Sequence, residues 1–171
     1  MVVEQLRRMW SLDAGRRAFG GIVTDARDIG GVAKVLLLEP ATYMNLSGRS
    51  VLEAMNFYRI ELPDVLVILD DLDLGLGQLR ARTEGSAGGH KGLADVIRAL
   101  GTSEVSRLRI GIGSAPAYMD AADYVLSNFS PDEEPVIRHS IEQASQAVEL
   151  WVRAGTGPVM DKYNRTTRQE E

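Results

Sequence analysis

A run of five consecutive apolar residues, Val65 to Leu69, constrains the fold of this chain more than any other feature of its sequence. An uninterrupted run of this length is typical of a strand buried on both faces, and such strands occur mainly in parallel sheets covered by helices. Segments with a strand pattern alternate along the chain with segments whose apolar residues have helical spacing. The further strand segments are 32–38, 78–82 and 107–113. The helical segments are 2–12, 93–100 and 132–154. The sequence therefore predicts an α/β fold, a three-layer α/β/α sandwich with a mixed, mostly parallel, twisted sheet.

Length and composition restrict the classes of protein to which the chain can belong. Its 171 residues are 44% hydrophobic and 25% charged, which predicts one globular domain spanning 1–171. No apolar run is long enough to span a membrane, and the first residues do not resemble a secretory leader, so we expect a cytoplasmic monomer without membrane contact. The absence of cysteine excludes disulfides and cysteine-ligated zinc. The net charge of -5 means that binding of a nucleic acid would require a local cluster of basic residues.

Three carboxylates, Asp70, Asp71 and Asp73, follow the apolar strand directly. Carboxylates at this spacing repel each other, so at least one must be neutralised by a neighbour or used in chemistry. The pattern resembles the aspartyl nucleophile loop of magnesium-dependent phosphohydrolases of the haloacid-dehalogenase type. It is equally compatible with another catalytic role and with a solvated acidic turn.

Four arginines flank a glycine-rich segment, 85–92, that leads into a helix. Arg80 and Arg82 are two residues apart on one predicted strand, and Arg107 and Arg109 are two apart on another, so each pair shares a strand face. If the two strands are neighbours, the four guanidiniums form a basic patch suited to phosphate. The alternative is a set of scattered surface arginines. The segment is not a P-loop, because a histidine precedes its lysine and no Ser or Thr follows.

A turn that begins at Pro40 leads through Asn45 and Ser47 into a helix. Both side chains are suited to capping the first turn of that helix, and both are also suited to binding a ligand. The turn, the acidic residues and the glycine-rich segment all follow strands. Because ligands bind at the carboxyl ends of strands in α/β sheets, we expect the three to form one site.

Together these motifs resemble, in order and spacing, the successive signatures of the bacterial peptidyl-tRNA hydrolase family. The matching segments are Thr42 to Gly48, Asp70 to Leu74, Gly88 to Leu93, and Arg107 to Gly113. The resemblance continues through Asp123 to Phe129 and Gly157 to Asn164, and so covers essentially the whole chain. It implies hydrolysis of the ester between a peptide and the 3′ ribose of tRNA, without a metal or another cofactor, with peptidyl-tRNA as the partner.

The resemblance also assigns roles to individual residues. Asp70 corresponds to the aspartate that orients the catalytic histidine, Asn45 to an asparagine that binds the substrate near the scissile ester, and Tyr43 to an aromatic residue at the 3′ end of the substrate. Arg82 and Arg109 correspond to the basic pair that holds the terminal phosphate of the tRNA.

Two further residues of the glycine-rich segment are candidates for the site. Lys91 stands where many members of the family have an asparagine that positions the substrate, although lysine can only donate hydrogen bonds. His90 is a candidate base or substrate contact. Its alternative role is that of a helix-entry histidine bonded to the backbone.

The start of the sequence departs from the family pattern. The family opens with a strand ending in Gly-Asn-Pro-Gly and a loop containing Thr-Arg-His-Asn, whose histidine is the general base, and neither motif is present here. We therefore expect that the chain as written lacks its catalytic histidine and hydrolyses little substrate. A gene start assigned at an internal methionine would explain this, as would a fragment or a non-catalytic, RNA-binding relative.

Overall fold

The computed structural model describes residues 1–164, apart from the side chain of Asn45. Its strands are β1 (Arg16–Ala18), β2 (Gly21–Ile29), β3 (Val32–Pro40), β4 (Leu66–Asp71), β5 (Leu79–Arg82) and β6 (Ser106–Gly111). Its α-helices are α1 (Val2–Met9), α2 (Ser47–Tyr58), α3 (Lys91–Leu100), α4 (Ala121–Val125), α5 (Glu134–Ala154) and α6 (Thr156–Tyr163), and short 3-10 helices span Met44–Leu46 and Leu62–Asp64. The predicted helices and strands are all present, with bounds that differ by a few residues, and the fold is α/β.

The apolar run forms β4, which lies at one edge of a mixed sheet with the order β4-β6-β5. Strands β4 and β6 are parallel and in register from Leu66 opposite Ser106 to Asp71 opposite Gly111, whereas β5 is antiparallel to β6. Parallel pairing is confined to β4 and β6 among the described strands, so the prediction of a mostly parallel sheet is not met. The connection from β5 to β6 carries α3, but β5 runs opposite to its neighbour.

An antiparallel meander of β1, β2 and β3 forms a second sheet. Strands β2 and β3 are joined by Gly30 and Gly31, with φ of 60° and 86°, and such two-residue turns suit glycine because both positions have positive φ. Strands β1 and β2 were not predicted. The four polar residues of β2 interrupt its apolar pattern, namely Thr24, Asp25, Arg27 and Asp28.

One apolar core joins the meander, the mixed sheet and the helices packed on them. Buried positions recur along α5 every three or four residues, at Ala144, Ala147 and Val148, and these contact Leu6 of α1 and Leu108 of β6 within the same cluster.

The turn before α5 is closed by the Glu133 carboxylate, which accepts a hydrogen bond from the Ser130 amide at 2.8 Å, and this bond lowers the pKa of Glu133. Within residues 1–164, no helix is long and apolar enough to cross a membrane.

Candidate active site

Most of the predicted site residues converge at the carboxyl end of β4, whereas Arg82 lies on β5 at the level of Val67, nearer the other end of that strand. Asp70 and Asp71 end this strand beside Ile110 and Gly111 of β6, and the glycine-rich segment brings His90 to the N-terminus of α3. The turn that holds Met44 packs against the same end of α3, since a Cβ on Gly92 would lie only 2.5 Å from the Met44 Sδ. Three segments that are distant in the sequence therefore form one surface, as their positions after strands predicted.

Asp70 is paired with His90. The His90 Nδ1 accepts a hydrogen bond from the Leu93 amide at 3.1 Å, so the ring proton of the neutral imidazole is on Nε2, which lies 3.5 Å from Asp70 Oδ1. That distance is at the long limit of a hydrogen bond. The interaction with His90 holds the pKa of Asp70 below its usual value, against the opposing effect of burial. Asp70 is therefore a carboxylate at neutral pH.

His90 has the backbone bond that its helix-entry position predicted. In the neutral ring one nitrogen accepts from Leu93 and the other faces Asp70, so no lone pair is free to take a proton from water. The second histidine, His139, lies exposed on α5 with its Nε2 3.0 Å from the Gln143 amide nitrogen. Neither histidine has the geometry of a general base in this structure.

Asp71 is neutralised by Arg109. The Asp71 Oδ2 accepts from the Arg109 Nε, and the Asp71 Oδ1 accepts from the amide of Asp73 at 2.8 Å. The Asp71 side chain is only 7% exposed, whereas Asp73 is exposed. The repulsion predicted for three adjacent acids is thus relieved by one histidine, one arginine and solvent, in that order along the chain.

The four arginines do lie on one face of two neighbouring strands. Arg80 is opposite Arg109 and Arg82 is opposite Arg107, so their strand register confirms the adjacency that a basic patch requires. Arg82 is exposed and Arg80 is half-buried.

Arg107 is a correction to the predicted patch, because it is only 2% exposed. It donates hydrogen bonds to four backbone carbonyls, those of Gly85, Ser86, Ser103 and Val105. Burial lowers the pKa of Arg107, and the charges of Arg109 and Arg82 add to this effect. Arg107 therefore anchors the glycine-rich segment, and the patch available to a ligand has three guanidiniums.

The first turn of α2 is capped by a residue from another helix. The Asp95 Oδ2 on α3 accepts from the Gly48 amide at 2.7 Å, and Asp95 is buried and paired with Arg98. The Ser47 hydroxyl instead donates to the Met44 carbonyl at 2.9 Å, so capping by Ser47, the alternative considered from the sequence, is wrong. Asn45 is in the 3-10 helix beside α3, and its side chain lies outside the described part.

Two predicted substrate contacts are open to solvent. Tyr43 is 82% exposed at the start of the 3-10 helix, and Lys91, the first residue of α3, is also exposed. Both flank the Met44 side chain that packs on Gly92. A ligand can therefore reach both without displacing the core.

The geometry at Asp71 does not favour the alternative of a magnesium-dependent phosphohydrolase. Both carboxylate oxygens of Asp71 already accept hydrogen bonds, and no group of three or more potential metal ligands occurs within residues 1–164. A magnesium ion bound by Asp71 would have to share its two carboxylate oxygens with Arg109 and the turn amide.

The family model described as Peptidyl-tRNA hydrolase matches residues 1–171. The chain belongs to the peptidyl-tRNA hydrolase family. Relatives named peptidyl-tRNA hydrolase from Symbiobacterium thermophilum and Bacillus cereus are 44% and 41% identical to it, and each alignment covers 96% of this chain and 87% of the relative. The crystal structure of peptidyl-tRNA hydrolase from Acinetobacter baumannii superposes with a TM-score of 0.86 at 33% identity, covering 95% of this chain and 82% of that one.

Coverage of this extent does not support the expectation that the chain hydrolyses little substrate. It does support the motif-based assignment to peptidyl-tRNA hydrolases. Two interactions of the site were not predicted from the sequence: the bond between Asp71 and Arg109, and the capping of α2 by Asp95. Adjacent acids predicted that Asp71 needs a partner, but the sequence carries no comparable signal for Asp95.

Proposed function

We propose that this chain hydrolyses the ester that joins a peptide, or an N-blocked amino acid, to the 3′ end of tRNA. The observation that carries this proposal is the convergence at β4: an ionised Asp70 lies at the carboxyl end of this strand together with the glycine-rich segment and the turn containing Asn45. Arg80 and Arg109 lie next to that end on the neighbouring strands, and Arg82 lies further along β5. Family membership supports the reaction. The protein would release tRNA from stalled peptidyl-tRNA as a monomer in the cytoplasm, within a three-layer domain.

By the family motif, Asp70 serves as the carboxylate partner of an imidazole base, the histidine of the Thr-Arg-His-Asn loop, and stabilises the imidazolium formed when that base deprotonates water. His90 and His139 are not placed to be this base. The depressed pKa of Asp70 keeps it charged over the range in which such a base works, and its side chain is 33% exposed, so a second group can reach it. His90 assists by fixing the Asp70 carboxylate from one side. His90 is thus a positioning residue.

The 3-10 helix and the start of α3 hold the reacting end of the substrate. Asn45 binds the substrate next to the scissile ester, and its amide can both donate and accept there. Tyr43 offers an exposed ring on which the terminal base can stack. Lys91 donates to a carbonyl or phosphate oxygen, a role in which a cation replaces the amide found in many relatives.

Arg82 and Arg109 bind the terminal phosphate of the tRNA from neighbouring strands. Charge-assisted bonds from guanidinium to phosphate are among the strongest that side chains make. Arg109 faces the glycine-rich segment that contains His90, and this supports a single substrate contacting both the ester site and the arginines. A non-catalytic relative would keep these contacts and lack cleavage.

Cleavage of N-acetyl-aminoacyl-tRNA tests the proposal. The products should be tRNA with a free 3′ hydroxyl and the N-acetyl amino acid, and EDTA should leave the rate unchanged. A rate that requires magnesium, or release of inorganic phosphate, would favour the phosphohydrolase reading. Tight binding without ester cleavage would favour the non-catalytic one.

A matched pair of asparagine variants tests the assignment of the ester contact. Asn45→Ala should lower kcat/KM by about tenfold or more, since a bond to the reacting end is lost. Asn56→Ala, at an exposed position on α2, should leave it unchanged. Equal rates for the two variants would remove Asn45 from the mechanism.

A further inference from the structure

We propose that Asp71 is a positioning residue for the phosphate contact: it holds the Arg109 guanidinium by its Nε so that the two terminal nitrogens are presented to the tRNA phosphate. This inference rests on the proposed function, because it takes the RNA phosphate as the ligand of Arg109. No role in substrate binding was predicted for Asp71 from the sequence.

The contacts of the pair determine which part of Arg109 remains available. Its Nε donates to Asp71 Oδ2, and within residues 1–164 its terminal nitrogens donate to no protein acceptor. One of them, Nη2, lies 3.9 Å from where a Cβ on Gly88 would stand, so the free end of the guanidinium faces the glycine-rich segment. Bidentate binding of phosphate uses two N–H groups, and these remain free.

Asp71 is itself fixed, which makes it a suitable support. Its second oxygen accepts from the Asp73 amide at 2.8 Å, it ends a strand paired with β6, and its side chain is 7% exposed. The Arg109 side chain is 21% exposed. A guanidinium anchored in this way loses little further freedom when it binds a phosphate, which favours affinity.

Electrostatic repulsion alone predicts the opposite change in tRNA affinity when Asp71 is neutralised. A carboxylate beside a phosphate site repels the phosphate, so a purely electrostatic Asp71 would weaken tRNA binding, and its neutralisation would strengthen binding. If Asp71 positions Arg109, its neutralisation weakens binding despite the removal of a negative charge. The direction of the change therefore separates the two roles.

The experiment compares Asp71→Asn with Asp73→Asn, an exposed neighbour on the same turn that undergoes the same change in charge. Kd is measured for tRNA with and without its 5′ phosphate. An asparagine at 71 has one acceptor oxygen for two donors, so it cannot hold both the turn amide and Arg109. We expect Asp71→Asn to lose about tenfold in affinity for the phosphorylated tRNA and little for the dephosphorylated one. Asp73→Asn should bind both as well as the parent does, or slightly better.

Unchanged or tighter binding of phosphorylated tRNA by Asp71→Asn would overturn the inference. If Asp71→Asn does not fold, Arg109→Lys provides a second test. A lysine ammonium cannot bond Asp71 and also present two coplanar N–H groups to a phosphate. Arg109→Lys should lose the preference for the 5′ phosphate, and retention of that preference would also overturn the inference. The proposed function fails separately, by absence of ester cleavage in the parent protein.

Discussion

At the scale of single residues, the site is built from charges held in defined pairs. Asp70 is held by His90 and Asp71 by Arg109, whereas Arg107 is held entirely by backbone carbonyls. The sequence predicted that the acids need partners but not which partners they have, because each pair joins segments at least 20 residues apart. Burial of Arg107 was unpredictable partly for the same reason, because its acceptors Gly85 and Ser86 lie 22 and 21 residues away in the sequence.

The Asp70–His90 pair predicts a dependence of stability on pH. The pKa of Asp70 is lower in the folded protein than its usual 3.8, so its carboxylate contributes stability above pH 3.8 that is lost as the pH falls through the folded-state pKa. The difference in unfolding free energy between the parent and Asp70→Asn should therefore shrink below about pH 4. Denaturant unfolding between about pH 2 and pH 7 measures it. A difference that stays constant down to about pH 2 would contradict the pairing.

At the scale of elements, interactions between neighbouring segments hold the site surface in place. Asn164, just after α6, donates to the Ala81 carbonyl at 2.9 Å and accepts from the Ala81 amide at 2.7 Å, so one side chain satisfies the free edge of β5. Strands β4 and β6 and helix α3 were predictable because their apolar patterns are strong. Strands β1 and β2 were not, since their polar residues obscure the alternation.

Removal of the Asn164 amide should destabilise the protein. Two bonds to a partly buried strand are lost, so Asn164→Ala should lower the free energy of unfolding by about 1–3 kcal/mol. The exposed control Asn56→Ala should change it by less than about 0.5 kcal/mol. Urea denaturation of both variants is the measurement, and equal stabilities would show that the Ala81 edge does not need Asn164.

The close packing of α2 on α3 predicts a second effect at this scale. A Cβ on Gly48 would contact the Asp95 carbonyl, which is backbone and cannot rotate away. Gly48→Ala should therefore cost about 1–3 kcal/mol, as overpacking does. Gly157→Ala on α6 is the matched control, because nothing lies within 4 Å of its Cβ position and alanine favours helix there. Thermal unfolding should show Tm falling for the first variant alone.

At the scale of the whole molecule, an acidic protein presents a local basic surface. The net charge is -5, yet Arg80, Arg82 and Arg109 lie on one face of the mixed sheet. Affinity for tRNA should then depend on salt through these few contacts. Arg82→Ala should reduce the slope of log K against log salt by about 0.7–0.9, whereas Arg17→Ala, exposed on β1, should leave the slope unchanged. Equal slopes for the two variants would show a diffuse field in place of a phosphate site.

Ester cleavage under single-turnover conditions, with enzyme in excess over N-acetyl-aminoacyl-tRNA, tests the central claim most directly. We predict that the parent protein cleaves the ester faster than buffer does. In the protein extended by the family's Thr-Arg-His-Asn loop, Asp70→Asn should lower the rate constant by about a hundredfold, since the amide cannot stabilise the imidazolium of that loop's histidine, while the Kd for tRNA stays within about twofold. Cleavage by the parent at the buffer rate, or an Asp70→Asn variant that keeps its rate, would contradict the account.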